Sequence, residues 1–171
     1  HTFNITNLGG ILFAKNIEQF EPIARKAVRV IVYQGINRIK TKKEQAGTKG
    51  YAIGFEGLIK YITDQLPANE VIEKALRKEV SVHSPLAIRE LVANAIIHQD
   101  FSIKGTSPMV EIFDNRIEIT NPGKPLIDPL RIVDHSPERR NELLARFMRR
   151  LNICEERGSG IDKVIEQVEA F

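Results

Sequence analysis

A chain of 171 residues, 42% of them apolar and 27% charged, is long enough to bury a core and has the composition of a globular protein that lives in water. No apolar run approaches the roughly 18 residues that a membrane span needs, and the single cysteine, Cys154, excludes an internal disulfide and cannot by itself make a zinc site. A net charge of +3 is small for a protein whose whole surface addresses nucleic acid. The positive charge is instead clustered, first at Arg38, Lys40, Lys42 and Lys43, then at Arg139, Arg140, Arg146, Arg149 and Arg150. Each cluster suits either a solvated face or contact with phosphate.

In chain order, residues 5–15 form a dense apolar stretch that reads as a helix or helical turn, against the preference of the paired Gly9 and Gly10. Those glycines do not belong to a Gly-x-Gly-x-x-Gly or Gly-Lys-Ser pattern, so they serve packing or a bend. Val28, Val30 and Val32 alternate within residues 24–33, as in a strand with one buried face, and Gln34-Gly35 ends it. Residues 39–50 are polar and lysine-rich and are expected to be a connecting loop. Phe55, Leu58, Ile59, Ile62 and Leu66 then fall at helical spacing up to Pro67. Over residues 69–83, Val71, Ile72, Ala75 and Leu76 fit a helix and Val80 and Val82 a strand, so a helix followed by a strand is expected.

Ser84-Pro85 is an N-cap followed by a proline at the first helical position, and it starts a helix over residues 85–100. At 100° per residue Ile88, Leu91, Val92, Ala95 and Ile96 share one apolar arc. Glu90, Asn94 and His98 fall on a narrow arc beside it. On its own such a stripe is the solvent-facing edge of an amphipathic helix.

Residues 108–113 and 116–120 alternate on either side of Asp114-Asn115, which predicts a β-hairpin whose second strand ends at Asn121-Pro122-Gly123, a tight turn in any context. Residues 124–135 read as a loop. Ser136-Pro137 repeats the cap-and-proline device and predicts a helix with Leu143, Leu144, Phe147, Met148 and Leu151 in the core. Gly158-Ser159-Gly160 opens a last helix over residues 161–171, with Ile161, Val164, Ile165 and Val168 buried. Without side chains at Gly158 and Gly160, backbone N–H groups at a helix start can approach phosphate oxygens. The order of elements makes an α/β layer, with helices on one face of a mixed, largely antiparallel sheet.

Three segments in this order, Glu90-Leu-Val-Ala-Asn94-Ala-Ile-Ile-His98-Gln-Asp100, Asn121-Pro-Gly123 and Glu156-Arg-Gly158-Ser-Gly160-Ile, resemble the nucleotide-binding fold of the GHKL ATPases. The wording is similar to the branch of transcriptional regulators and helicase-related proteins that carry a Schlafen/AlbA-like N-terminal domain. The resemblance covers about residues 5–168. It implies ATP held with Mg2+, with Asn94 supplying an amide oxygen to the metal and Glu90 acting as general base on a water near the γ-phosphate. His98 would line the pocket, with Asp100 following at the helix end. Asn121 and Gly123 occupy the adenine-reading position, where most of the superfamily has an aspartate; asparagine accepts the same hydrogen bond without charge. Gly158, Ser159 and Gly160 would face the phosphates, and Arg140 and Asn141 lie where the family has a lid.

The implied division is residues 1–67 as the end of the Schlafen/AlbA-like region with its connector, and 68–171 as a GHKL-like domain without its closing strands. The chain starts at His1 without a methionine, which reads as a piece of a longer protein. The expected role is an ATP-binding regulatory domain of a DNA-associated transcriptional regulator in the cytoplasm, hydrolysing slowly if at all. Partners would be the nucleotide, DNA through domains outside this chain, and a second copy in a homodimer, with no membrane. The alternative is a nucleic-acid-binding or dimerisation module that kept the fold without the nucleotide. A helicase motor is disfavoured, because the chain lacks a Gly-x-x-x-x-Gly-Lys-[Ser/Thr] loop.

Overall fold

The computed structural model describes residues 4–66, 68–73, 76–81, 84–127 and 138–154. The chain opens with α1 (Asn7–Phe13), capped by Thr6, whose hydroxyl accepts from the Gly9 amide at 3.1 Å. Two short 3-10 turns lead to β1 (Arg29–Tyr33), β2 (Thr41–Ala46) and α2 (Tyr51–Thr63). The hairpin β3 (Ala68–Glu73) and β4 (Leu76–Ser81) follows, then α3 (Pro85–His98), β5 (Met109–Ile112), β6 (Ile117–Thr120) and α4 (Glu142–Arg150). The helix expected at residues 161–171 and the Ser136-Pro137 start signal lie outside the described residues.

The main sheet has the order β2-β1-β5-β6, with β1 and β5 parallel and the other two pairings antiparallel. Because strand side chains alternate between faces, Val30, Val32, Val110 and Ile112 turn to one side and pack against Leu12, Phe55, Ile62, Val92 and Ile96 from the helices. α1 and α2 cross so closely that a Cβ on Gly50 would lie 2.6 Å from the Leu12 carbonyl, so only glycine fits at that crossing.

The second face carries no helix among the described residues. Ile31, Tyr33 and Phe113 form a small cluster there, with the Tyr33 and Phe113 rings stacked at 4.8 Å and the Arg116 guanidinium 3.8 Å from the Phe113 ring centre. Glu111 is buried beside them, and its carboxylate accepts from Tyr33 Oη at 3.0 Å and from Arg38 Nε and Nη2 at 2.6 and 2.9 Å. That pairing with Arg38, assisted by the Tyr33 hydroxyl, holds the Glu111 carboxyl below the usual glutamate range against the opposing effect of burial. Arg38 and Arg116 also share Glu118.

The expected α/β layering and the 108–120 hairpin stand, but three expectations need correction. Residues 39–50 are a loop only at their two ends. Residues 41–46 form edge strand β2, exposed along its length, so no buried face imposes an apolar alternation. Residues 68–73 and 76–81 pair as an antiparallel hairpin, so Val71, Ile72 and Leu76 lie in strands and not in the expected helix, Val80 lies in the expected strand, and Ala75 and Val82 lie outside the described residues. Val71, Ile72, Ala75 and Leu76 recur at helical spacing, but adjacent β-branched Val71 and Ile72 favour an extended chain. In α4 the core contacts come from Leu144, Ala145 and Met148, whereas Leu143, Phe147 and Leu151 are exposed. A nine-residue helix docked along one arc leaves its shoulder positions in solvent. Strands β1 and β2 precede residue 67 and strands β5 and β6 follow residue 68 within the one main sheet.

Candidate functional site

Helix α3 starts as its sequence requires: Ser84 Oγ accepts from the Ala87 amide and Pro85 occupies the first turn. It is buried more widely than one amphipathic arc predicts, with Ala87, Ile88, Val92, Ala93, Ala95, Ile96 and Ile97 all inside. Glu90 is inside as well, only 4% exposed, while Asn94 and His98 are half-buried. The polar stripe therefore rises from a buried carboxylate through an amide to an imidazole near the surface. Asn94 makes no side-chain hydrogen bond among the described residues, which leaves its amide oxygen open to a ligand. The Cys154 thiol, pushed up by burial and next by the charge of Glu90, lies in the field of that carboxylate.

The C-terminal end of α3 gathers the other motifs. A helix end leaves its last carbonyls without intrahelical partners. Here Asn141 Nδ2 donates to the Ile97 and Gln99 carbonyls at 2.9 and 2.7 Å, and Arg140 Nε donates to the His98 carbonyl at 3.2 Å. Arg140 also pairs with Asp100 at 3.3 Å and donates to the Lys124 carbonyl. The Asp100 amide donates to the Pro122 carbonyl at 2.7 Å. Gly123 closes the turn at φ +118°, and a Cβ there would lie 2.9 Å from the Asp100 Cβ, so both conformation and space require glycine.

The titratable groups at this junction are biased by their neighbours. Burial, then the charges of Arg139 and Arg140, lower the His98 pKa, so the imidazole is neutral at pH 7 and can accept or donate one hydrogen bond. Hydrogen bonds from Ser102, at 2.6 Å from its hydroxyl and 2.9 Å from its amide, hold Asp100 in the carboxylate form. On the inner side, fully buried Gln99 donates to Tyr51 Oη at 2.7 Å, and Tyr51 in turn donates to the Lys26 carbonyl. The Lys26 ammonium, 3% exposed, donates to the Ile103 carbonyl at 2.6 Å. Burial lowers its pKa while Asp100 opposes that shift.

Of the residues singled out in the sequence, Glu90, Asn94 and His98 share α3, and Gly123 and Arg140 meet at its C-terminal end. Asn121 is exposed, and its only side-chain hydrogen bond among the described residues is a long one, 3.5 Å, to the adjacent Pro122 carbonyl. Arg140 is engaged with α3 and the turn. Gly158, Ser159 and Gly160 lie outside the described residues. The anchoring roles of Asn141, Gln99 and Lys26 have no local signature, since Asn141 and Lys26 bond to groups 42 or more residues away and Gln99 reaches Tyr51 across 48. Among the described residues no group of three or more His, Cys, Asp or Glu side chains could hold a metal ion, and no helix is long and apolar enough to cross a membrane.

Residues 105–171 match a family model described as "Putative ATP-dependent DNA helicase recG C-terminal". The match supports an ATPase-like domain in that part of the chain; it includes Asn121, Gly123, Arg140 and the Gly158–Gly160 segment, and it begins after α3. The fold is similar to the crystal structure of the DIP2311 protein from Corynebacterium diphtheriae, with a TM-score of 0.70 and 21% identity. That similarity covers 82% of this chain and 29% of the other, so this chain corresponds to less than a third of that protein and shares its fold over that part. No curated protein matches the chain.

Proposed function

We propose that this chain is the nucleotide-binding region of a larger DNA-associated regulator, that it takes Mg–ATP on the polar face of α3, and that any hydrolysis is slow. The observation that carries the reading is the convergence on one helix of Glu90, Asn94 and His98, with the Asn121–Gly123 turn and Arg140 docked at its end. A half-buried amide without a partner among the described residues at Asn94 fits a hard divalent cation that keeps most of its waters. Mg–ATP, when bound, supplies the γ-phosphoryl group and a cation to offset its charge. For its part the chain would orient the metal through Asn94, hold an attacking water at Glu90 and limit solvent access through the buried wall of α3. The ATPase-like match downstream of α3 supports the class of ligand.

Asn94→Ala should weaken Mg–ATP binding at least tenfold, a loss of about 1.4 kcal/mol. Calorimetry on the intact parent protein measures it, and equal affinity in the variant would remove Asn94 from the site.

A second reading, nucleic-acid binding without nucleotide, draws on α4. Arg146 and Arg150 are exposed one turn apart on α4, and among the described residues Arg146 pairs only with the exposed Glu142, one turn earlier. Such a stripe would bind phosphate with a steep salt dependence. In the Mg–ATP reading, an Arg146→Ala/Arg150→Ala variant leaves the salt slope of DNA binding by the parent protein unchanged. A slope reduced by about two would favour the second reading, since each lost phosphate contact removes roughly one unit.

A further inference from the structure

Between the outer strand β2 and helix α2 the fold leaves a cavity of about 300 Å3. Val28 and Val30 form its floor, Phe55, Leu58 and Tyr61 line its α2 side, and residues 45–49 close it from the strand side. None of the residues assigned above to the nucleotide lines it.

Two independent features of this cavity call for an occupant. The first is glycine usage in α2, since a helix interior disfavours glycine. Gly54 and Gly57 both stand on the cavity wall. Gly54 has a packing reason, because a Cβ there would lie 3.0 Å from the Lys49 Cβ. Gly57 is exposed on the rim side of the wall, and a Cβ there would meet nothing within 4 Å, so no packing contact among the described residues keeps that backbone bare. Bare helix backbone beside an apolar space is what close approach of a flat group requires. The second feature is charge. Lys49 is the one charged side chain in the lining, no carboxylate accompanies it, and it makes no hydrogen bond or ion pair among the described residues.

We propose that this cavity binds a small, flat aromatic anion, with its rings against Gly57 and its acid group at Lys49. The apolar lining excludes a strongly hydrated ligand, and the lone cation at the rim selects an acid over an amine or a neutral arene. The volume lies at the low end of small-molecule sites, roughly 300–1,000 Å3, so one or two fused rings fit.

The chain contains no tryptophan, so the emission of 2-naphthoate can be followed directly on adding the protein. Saturable binding tighter than about 1 mM is expected, unaffected by excess Mg–ATP. Gly57→Leu fills the space and should weaken 2-naphthoate at least tenfold, with the circular dichroism spectrum kept and the melting temperature unchanged or raised, because leucine is the better helix former. Lys49→Gln, a surface change that leaves the fold alone, should weaken 2-naphthoate about fivefold or more while leaving neutral 2-naphthamide unchanged. Absence of saturable binding, full affinity in Gly57→Leu, equal affinity of the native chain for the acid and the amide, or displacement by Mg–ATP would each overturn the proposal.

Discussion

With Glu90 replaced by glutamine, Mg–ATP should bind with nearly unchanged affinity while turnover falls by about 10²-fold or more. Glutamine keeps the shape and hydrogen-bonding reach of the side chain, so a 4% exposed position tolerates it sterically. What it loses is the ability to take a proton from water, a contribution made mainly in the transition state. Nucleotide titration together with single-turnover hydrolysis on the parent protein separates the two quantities. Equal losses of affinity and rate would make Glu90 a binding residue, and a native protein without turnover would leave it no catalytic role. Cys154 offers a check that needs no nucleotide. Burial is the larger cause of its raised pKa and the Glu90 charge the second, so the neutral variant should let the thiol alkylate at a lower pH, with only part of the shift removed. An unchanged alkylation profile would mean that Glu90 is not the ionised neighbour of that thiol.

Phe55→Ala should lower unfolding stability by about 3–5 kcal/mol, the usual cost of emptying a large aromatic site in a core. Phe55 is 1% exposed and packs within the cluster that joins α2 to α3 and the sheet. Its ring also lies 5.0 Å beneath the Arg89 guanidinium, which pairs with Glu56 at 2.7 Å and donates to the Asn152 carbonyl at 3.2 Å. Truncation therefore removes both the filler and the surface on which Arg89 is laid. Urea unfolding reads the loss as a fall in midpoint at constant slope. Nucleotide affinity measured well below the melting temperature should change little, because Phe55 is not one of the residues proposed to hold the nucleotide. A loss under about 1 kcal/mol would contradict this account of the core.

The parts legible in the sequence are those where a local rule decides the outcome. Ser84-Pro85 fixes the start of α3, the Asp114-Asn115 turn fixes the β5–β6 hairpin, and the valine alternation fixes β1. β2 escaped because an edge strand in solvent needs no apolar period, and Lys42 and Lys43 on it resemble a loop by composition. β3 escaped because Val71, Ile72, Ala75 and Leu76 recur at helical spacing, whereas its pairing with β4 depends on both segments together. In the site, the helical wheel places Glu90, Asn94 and His98 together but does not tell that Glu90 is buried, since burial depends on what α3 meets. The latch of Arg140 and Asn141 onto the α3 carbonyls is a long-range event. The sequence places these two residues between the motifs but names no partners for them. α4 shows the same limit in reverse: Asn152 at φ 55° ends it, with Ile153 N–H returning to the Met148 carbonyl, a stop that a list of apolar positions does not contain.

The arrangement on the sheet face that carries no helix among the described residues constrains how that face can be covered. That face is closed by the stacked Tyr33 and Phe113 rings beneath Arg38, Arg116, Glu111 and Glu118, already matched to one another. To lay another layer of protein over it would strip water from at least two guanidinium groups and a carboxylate that gain no new partner, a cost that apolar contact at Phe113 does not offset. A segment laid over this face would therefore have to bring acceptors of its own for Arg38 and Arg116, because the carboxylates beside them are already engaged.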